Sequence, residues 1–336
     1  MSKQEELFLY YLNEVLKKDY GIEVFSSQRV FHGADLEAKT FQIMSSKGEK
    51  YFVKIKKKSD HFLNLQVLGL LNHHLEHGII SPYKTLDGKL TSSYEEASLI
   101  VFPFVHGLNG FNQSLTQDQW KTFGQMMRQV HALELDEKLR QKMKKQMLFS
   151  SIDQKLRSLL DQIDSILLQD EISLNMIELI RQKHATFNKL LADFSYLSQQ
   201  VQRLKPSYHL CHGDIHAGNV LIDDEGHLYL IDWDEMILAP KEKDLLFIGG
   251  GVGNVWNKKQ EENYFYQGYG ETSIDLTLLA YFRYERILQD LVAYIQALLF
   301  DYNPQEDRFK LFQEFYDQFA PLGVVDIAFH THLNKR

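Results

Sequence analysis

The stretch from Leu210 to Glu235, LCHGDIHAGNVLIDDEGHLYLIDWDE, constrains this chain more than any other. Two short apolar runs, Val220-Leu221-Ile222 and Leu228-Tyr229-Leu230-Ile231, flank Asp223-Asp224-Glu225-Gly226. That pattern predicts a β-hairpin with a short loop. Polar groups crowd its outer ends: His212, Asp214, His216 and Asn219 before it, and Asp232, Asp234 and Glu235 after it. A hairpin folds those ends side by side, so carboxylates far apart in sequence converge. Converging carboxylates repel unless a cation lies between them.

Spacing narrows the chemistry. His212-x-Asp214-x-x-x-x-Asn219 has the spacing of the kinase catalytic loop, H-R-D-x-x-x-x-N, with Gly213 in place of the arginine. A further acid, Asp232, follows the hairpin where kinases place the metal-binding Asp of D-F-G. In that scheme Asp214 accepts the proton of the attacking hydroxyl, and Asn219 and Asp232 hold magnesium. His212, Asp214, His216 and Asp232 also admit a rival reading, the ligands of a metal-dependent hydrolase. That rival gives Asn219 and Lys54 no task.

The rest of the chain supplies what a kinase needs around such a loop. Residues 5–20 place Leu9, Leu12 and Leu16 at helical spacing, and Gly21 ends the helix. Short strands follow at 24–25, 28–31 and 40–44, and Lys47-Gly48-Glu49 turns the chain into Tyr51-Phe52-Val53-Lys54-Ile55. Lys54 stands in the place of the kinase strand lysine that holds nucleotide phosphates, and it alternates with Val53 and Ile55. Lys56, Lys57 and Lys58 leave the register open. The next helix, read as 61–77, has no acid in its centre, so Lys54 pairs with Asp60, with Glu76 or with neither. His73 and His77 have zinc-ligand spacing but read as a polar helix end. Leu99 to Val105 is a buried strand, and from Gln125 to Lys205 there is neither Gly nor Pro, which predicts helices. The glycines of GGGVGN at 249–254 sit in no βαβ unit, so they read as a place of close backbone approach to the hairpin.

HGDIHAGNVL and LIDWDE resemble the catalytic loop and metal-binding segment of the aminoglycoside phosphotransferase family, and MILAPKEKDLLFIGGGVGNVWN, YFYQGYGE and YFRYERI extend the resemblance. It runs from near Tyr10 to near Ala328. The resemblance implies an α+β, protein-kinase-like fold, with a small antiparallel-sheet N-lobe over residues 1–104 and a mostly helical C-lobe over 105–336. It implies ATP, or GTP, with Mg2+ as the phosphoryl source. Gly33, Ala34 and Asp35 would then form the nucleotide loop. Phe102 would back the adenine, and the Pro103 carbonyl and Val105 N–H would bind its edge. His131 resembles the family's structural histidine. The implied acceptor is a hydroxyl of a small cationic aminocyclitol antibiotic, spectinomycin first, or else of another amino-alcohol or sugar such as choline or homoserine. Asp214, Asp234 and Glu235 would meet its ammonium groups, Trp256 and Tyr266 would wall it, and the helical insertion over 152–204 would set specificity.

Composition excludes other classes. The charge of −8, from 37 basic and 45 acidic side chains, lacks the excess of positive charge that a nucleic-acid binder needs. Cys211 is the lone cysteine, which fits a reducing compartment and a buried filler. The charged N-terminus is unlike a signal peptide, and no apolar run reaches the ~18 residues of a membrane helix. A cytoplasmic enzyme is the expectation.

Overall fold

The structure, a computed structural model, describes residues 3–30, 38–57, 61–75, 77–166, 170–301 and 307–331. The chain divides into two compact units, one made of residues 1–113, 135–143 and 219–236, the other of 114–134, 144–218 and 237–336. This division differs from a single cut after residue 104. Gly107–Asn109 pairs with Val220–Asp223, which pairs with Leu228–Leu230, so backbone hydrogen bonding gathers the hairpin into the first unit.

The first unit opens with the helix Lys3–Tyr20, whose Leu12 and Leu16 are fully buried at i, i+4. Five antiparallel strands follow: β1 (Val24–Val30), β2 (Lys39–Ser45), β3 (Lys50–Lys57), β4 (Ser92–Tyr94) and β5 (Ala97–Pro103), in the order β1-β2-β3-β5-β4. The two strands expected at 24–25 and 28–31 are one over the described residues, β1, with an irregularity between Val24 and Ser26; residue 31 lies outside the described residues. Strand alternation sends Phe41, Ile43, Val53, Ile55, Leu99 and Val101 into one core with Leu12 and Leu16. Each such side chain contributes about 1.5–3 kcal/mol on burial. The other face of β3 is left to Phe52, Lys54 and Lys56. The helix expected to reach His77 ends at His74.

In the second unit the helix Gln117–Ala132 starts at a capping box between Thr116 and Gln119, and it buries Trp120, Phe123, Met127 and Val130 as its spacing predicts. The Gly- and Pro-free stretch forms the helices Ile152–Gln162, Glu171–Gln182 and His184–Val201. Asp275 caps the long helix Leu276–Ile295. His209–Cys211 pairs with Ile237–Ala239 on either side of the hairpin sequence. Antiparallel sheet first and helices after make the α+β order expected of a kinase-like fold. Among the described residues, no helix is long and apolar enough to cross a membrane.

Candidate active site

In the first unit the predicted hairpin forms, with Val220 opposite Leu230 and Ile222 opposite Leu228. The Ile231 N–H donates to the Asn219 carbonyl at 3.0 Å, so Asn219 and Asp232 lie at its adjoining ends. Asp232 has a left-handed backbone (φ 63°), a conformation costing a non-glycine residue about 1–3 kcal/mol and found where surrounding contacts enforce it. Those contacts are visible. The turn Trp233–Glu235 follows, with Trp233 buried and its Nε1–H donating to the Leu230 carbonyl at 2.9 Å. From the helix His61–His74, Asn64 Nδ2 donates to the carbonyls of Trp233 (3.3 Å) and Asp234 (3.0 Å).

Lys54 lies opposite Ile100 on β5 and points away from the core that holds Val53 and Ile55. Its Nζ donates to Asp232 Oδ1 at 2.9 Å and also to Asp234 Oδ2. Lys56 Nζ reaches the same Asp234 oxygen at 2.5 Å. Burial alone would lower the Lys54 pKa, but the Asp232 and Asp234 carboxylates outweigh it and hold the ammonium above its ordinary value. The same two lysines overcome burial at Asp234 and keep it ionised well below the usual carboxylate range. The register left open by sequence is thus resolved for Lys54 and Lys56, which share a face, while Lys57 is exposed. Lys58, Asp60 and Glu76, and the loop residues Gly33, Ala34 and Asp35, lie outside the described residues. Phe102 is opposite Phe52 on the Lys54 face; Pro103 ends β5 opposite Tyr51, and Val105 lies just beyond it.

In the second unit Asp214 sits on a loop fixed by a buried carboxylate. Asp244, 1% exposed, accepts from the backbone N–H groups of His212 (2.8 Å) and Gly213 (2.9 Å) and from His131 Nε2 (3.0 Å). His131 Nδ1 is bonded to the Tyr269 hydroxyl at 2.8 Å, which makes this histidine the satisfied core residue it resembles. Gly213 has φ 91°, so the glycine that replaces the kinase arginine meets a backbone requirement. Asp214 itself accepts from Arg286 Nη1 at 2.5 Å and lies 3.5 Å from His216 Nε2. Arg286 Nε donates to Asp290 at 2.9 Å, one helical turn on. Burial would raise the Asp214 pKa, but the bond from His216 and the charge of Arg286 prevail and hold it well below the carboxylate range. Burial has the upper hand at Asp290 and raises its pKa, with the Asp214 charge adding to that rise. Arg286 and Asp290 were not among the sequence candidates, although their i, i+4 spacing on a helix was there to read.

Other sequence candidates move. Trp256 is 3% exposed and packs on Trp120 and Phe123 with ring centroids 5.2 and 5.3 Å away, so it belongs to the core and cannot wall a substrate. Tyr266 is half-buried and borders an open groove with Gly270, Thr272 and Ile274; Glu235 is exposed. Asp234 is committed to two lysines. Within the second unit the glycine run does allow close approach: a side chain at Gly250 would strike the Leu246 carbonyl and the Arg283 guanidinium. Among the described residues, the one grouping of ligand atoms close enough for a metal is His131, Cys211 and Asp244, and the first and last are spent on hydrogen bonds. Burial pushes the Cys211 thiol pKa up, which suits a filler.

A model of the phosphotransferase enzyme family (APH) matches residues 29–272. No curated protein matches. Among solved structures the chain is similar to spectinomycin phosphotransferase, APH(9)-Ia, in complex with ADP and spectinomycin, at 40% identity and TM-score 0.89, covering 96% of this chain and 98% of that one. The AMP-bound complex of spectinomycin phosphotransferase, APH(9)-Ia, matches at 37% identity and TM-score 0.84 over 96% and 98%. The ethanolamine kinase of Plasmodium vivax, at 14% identity and TM-score 0.60 over 96% and 90%, shares the fold alone. The hydrolase reading falls with these matches, and the chain belongs to the APH phosphotransferase enzyme family.

Proposed function

We propose that this protein transfers the γ-phosphoryl group of ATP to a hydroxyl of spectinomycin, a small cationic aminocyclitol, and so inactivates the antibiotic in the cytoplasm. The observation that carries the reading is the hairpin, whose adjoining ends bear Asn219 and Asp232, with the strand lysine Lys54 on the Asp232 carboxylate. The ADP- and spectinomycin-bound relative supports the choice of nucleotide and acceptor.

Phosphoryl transfer asks a protein mainly for positioning and charge neutralisation. Lys54 holds the α- and β-phosphates. Asn219 and Asp232 fit Mg2+, since an amide oxygen and a carboxylate are hard donors placed at neighbouring strand ends. When bound, magnesium neutralises charge on the β- and γ-phosphates. Phe102 backs the purine, and the Pro103 carbonyl and Val105 N–H read its edge; both ATP and GTP are compatible with backbone reading. The phosphate-loop role of Gly33, Ala34 and Asp35 rests on the family resemblance alone. Asp214 orients the acceptor hydroxyl and takes its proton as the P–O bond forms, and the leaving group is ADP. Arg286 holds Asp214 ionised and in place.

Incubation of the protein with MgATP and spectinomycin, followed by mass spectrometry, is expected to show a gain of one phosphate on the antibiotic, abolished by Asp214→Ala. Transfer to choline, homoserine or another amino-alcohol, with none to spectinomycin, would replace this acceptor with a metabolite.

A further inference from the structure

Kinases fix the strand lysine with a glutamate from the neighbouring helix. The helix His61–His74 in this chain has no acidic residue to offer. It offers Asn64, whose side-chain amide holds the carbonyls of Trp233 and Asp234. The carboxylate then comes from that very turn, since Asp234 receives both Lys54 and Lys56. Lysines two apart on a strand share a face, which is why one carboxylate serves both.

We propose that Asp234 is the positioning residue for Lys54, standing in for the helix glutamate. The proposal rests on the nucleotide role given to Lys54 above. Asp232 also touches Lys54, but that carboxylate is assigned to magnesium, so a lasting partner has to be a second acid. Asp234 is fixed for the task, because Asn64 holds its own carbonyl. The lysines are 12% and 10% exposed and the Asp234 side chain 27%, so solvent weakens these pairs less than it weakens surface pairs. A long lysine stem loses rotamer entropy when immobilised, and a fixed carboxylate meets that cost before nucleotide arrives. The same geometry removes Asp234 from the acceptor: an oxygen shared by two ammonium groups is poorly placed to receive a third.

The test is titration calorimetry with Mg2+ and a non-hydrolysable ATP analogue, with no acceptor present, so that an error in the acceptor leaves it intact. Asp234→Asn is expected to weaken nucleotide binding about 10-fold, the worth of a charge-assisted hydrogen bond. Asp234→Glu should restore most of that loss. In a Lys54→Met background Asp234→Asn should add nothing, because its effect passes through the lysine. In turnover assays the acceptor KM should stay unchanged while the nucleotide KM rises. If Asp234→Asn folds poorly, Asn64→Ala replaces it: this variant loosens the turn without removing a charge and should weaken nucleotide binding about 3-fold. A raised acceptor KM with normal nucleotide binding overturns the proposal and makes Asp234 a substrate residue. So do tighter nucleotide binding, full additivity with Lys54→Met, or a loss as large from Asp60→Asn or Glu76→Gln.

Discussion

The first unit sets two lysines, Lys54 and Lys56, against two carboxylates, Asp232 and Asp234. The second sets a single guanidinium, Arg286, between Asp214 and Asp290. One cluster is balanced and the other carries an excess negative charge, with His216 at its edge. The difference matches the tasks proposed for them. A balanced cluster can exchange a carboxylate contact for a nucleotide phosphate or a metal ion without leaving a buried charge alone. An acid-rich cluster suits a hydroxyl that must lose a proton and an acceptor that arrives as a cation. The contrast also sorts mutations. Changes in the first cluster should fall on nucleotide binding, and changes in the second on turnover and on the acceptor.

The largest expected effect is on the second cluster. Asp214→Asn keeps the shape but cannot accept a proton, and kcat should fall about 10²–10⁴-fold. Nucleotide affinity, measured by calorimetry, should stay within about 2-fold of the parent, since the change removes transition-state stabilisation only. A comparable loss of nucleotide binding would erase the division of labour.

Lys54→Met is the counterpart in the first cluster. It should weaken nucleotide binding about 10- to 100-fold, the range of a charge-assisted hydrogen bond lost. Acceptor KM at saturating nucleotide is the control, and it should not move. A steady-state assay with each substrate varied in turn separates the two.

How far these clusters could be read in advance depends on whether their members are linked by local rules. The hairpin was legible because alternation and an acidic-Gly turn act over a few residues, and Asn219 and Asp232 came with it. Lys54 was legible as facing opposite to Val53 and Ile55, but the lysine run after it left the register open, and only the burial of those two neighbours closes it. The lysine's partner was not legible: Asp234 meets it across 180 positions, and no spacing rule spans that distance. Arg286 to Asp214, across 72 positions, is the same kind of contact. Trp256, given to the substrate by resemblance, was not legible as core, because its partners Trp120 and Phe123 lie more than a hundred positions away and no local rule links them.

Arg286→Leu takes the cation out of the second cluster. In the parent chain the Asp214 pKa is depressed, so the stability this carboxylate contributes is present above the unfolded-state pKa and lost as pH falls through the folded-state value. Without the guanidinium the Asp214 pKa rises toward that of a free carboxylate. The acid limb of the kcat profile should therefore move to higher pH, and kcat at neutral pH should fall about 10-fold through loss of orientation. Arg286→Lys should return the acid limb most of the way while leaving part of the orientation loss, since a lysine cannot span both acids as a guanidinium does. An unchanged profile in Arg286→Leu would show that His216 alone sets the charge state of the base.

Asp290→Asn asks whether the excess negative charge itself matters. The variant leaves an oxygen to accept from Arg286 Nε, so the guanidinium keeps its place while the cluster becomes neutral. A carboxylate already paired with Arg286 and only 31% exposed adds little to the attraction of a cation, so the acceptor KM should rise only about 2- to 5-fold. Added salt should shrink the difference between variant and parent, because screening at ~10 Å or less weakens the parent's attraction more. Nucleotide KM should not respond. If the acceptor KM is equally unmoved at low salt, the surplus carboxylate serves only to hold Arg286, and the acid-rich character of this cluster is an accident of fixing its base rather than a lure for a cationic substrate.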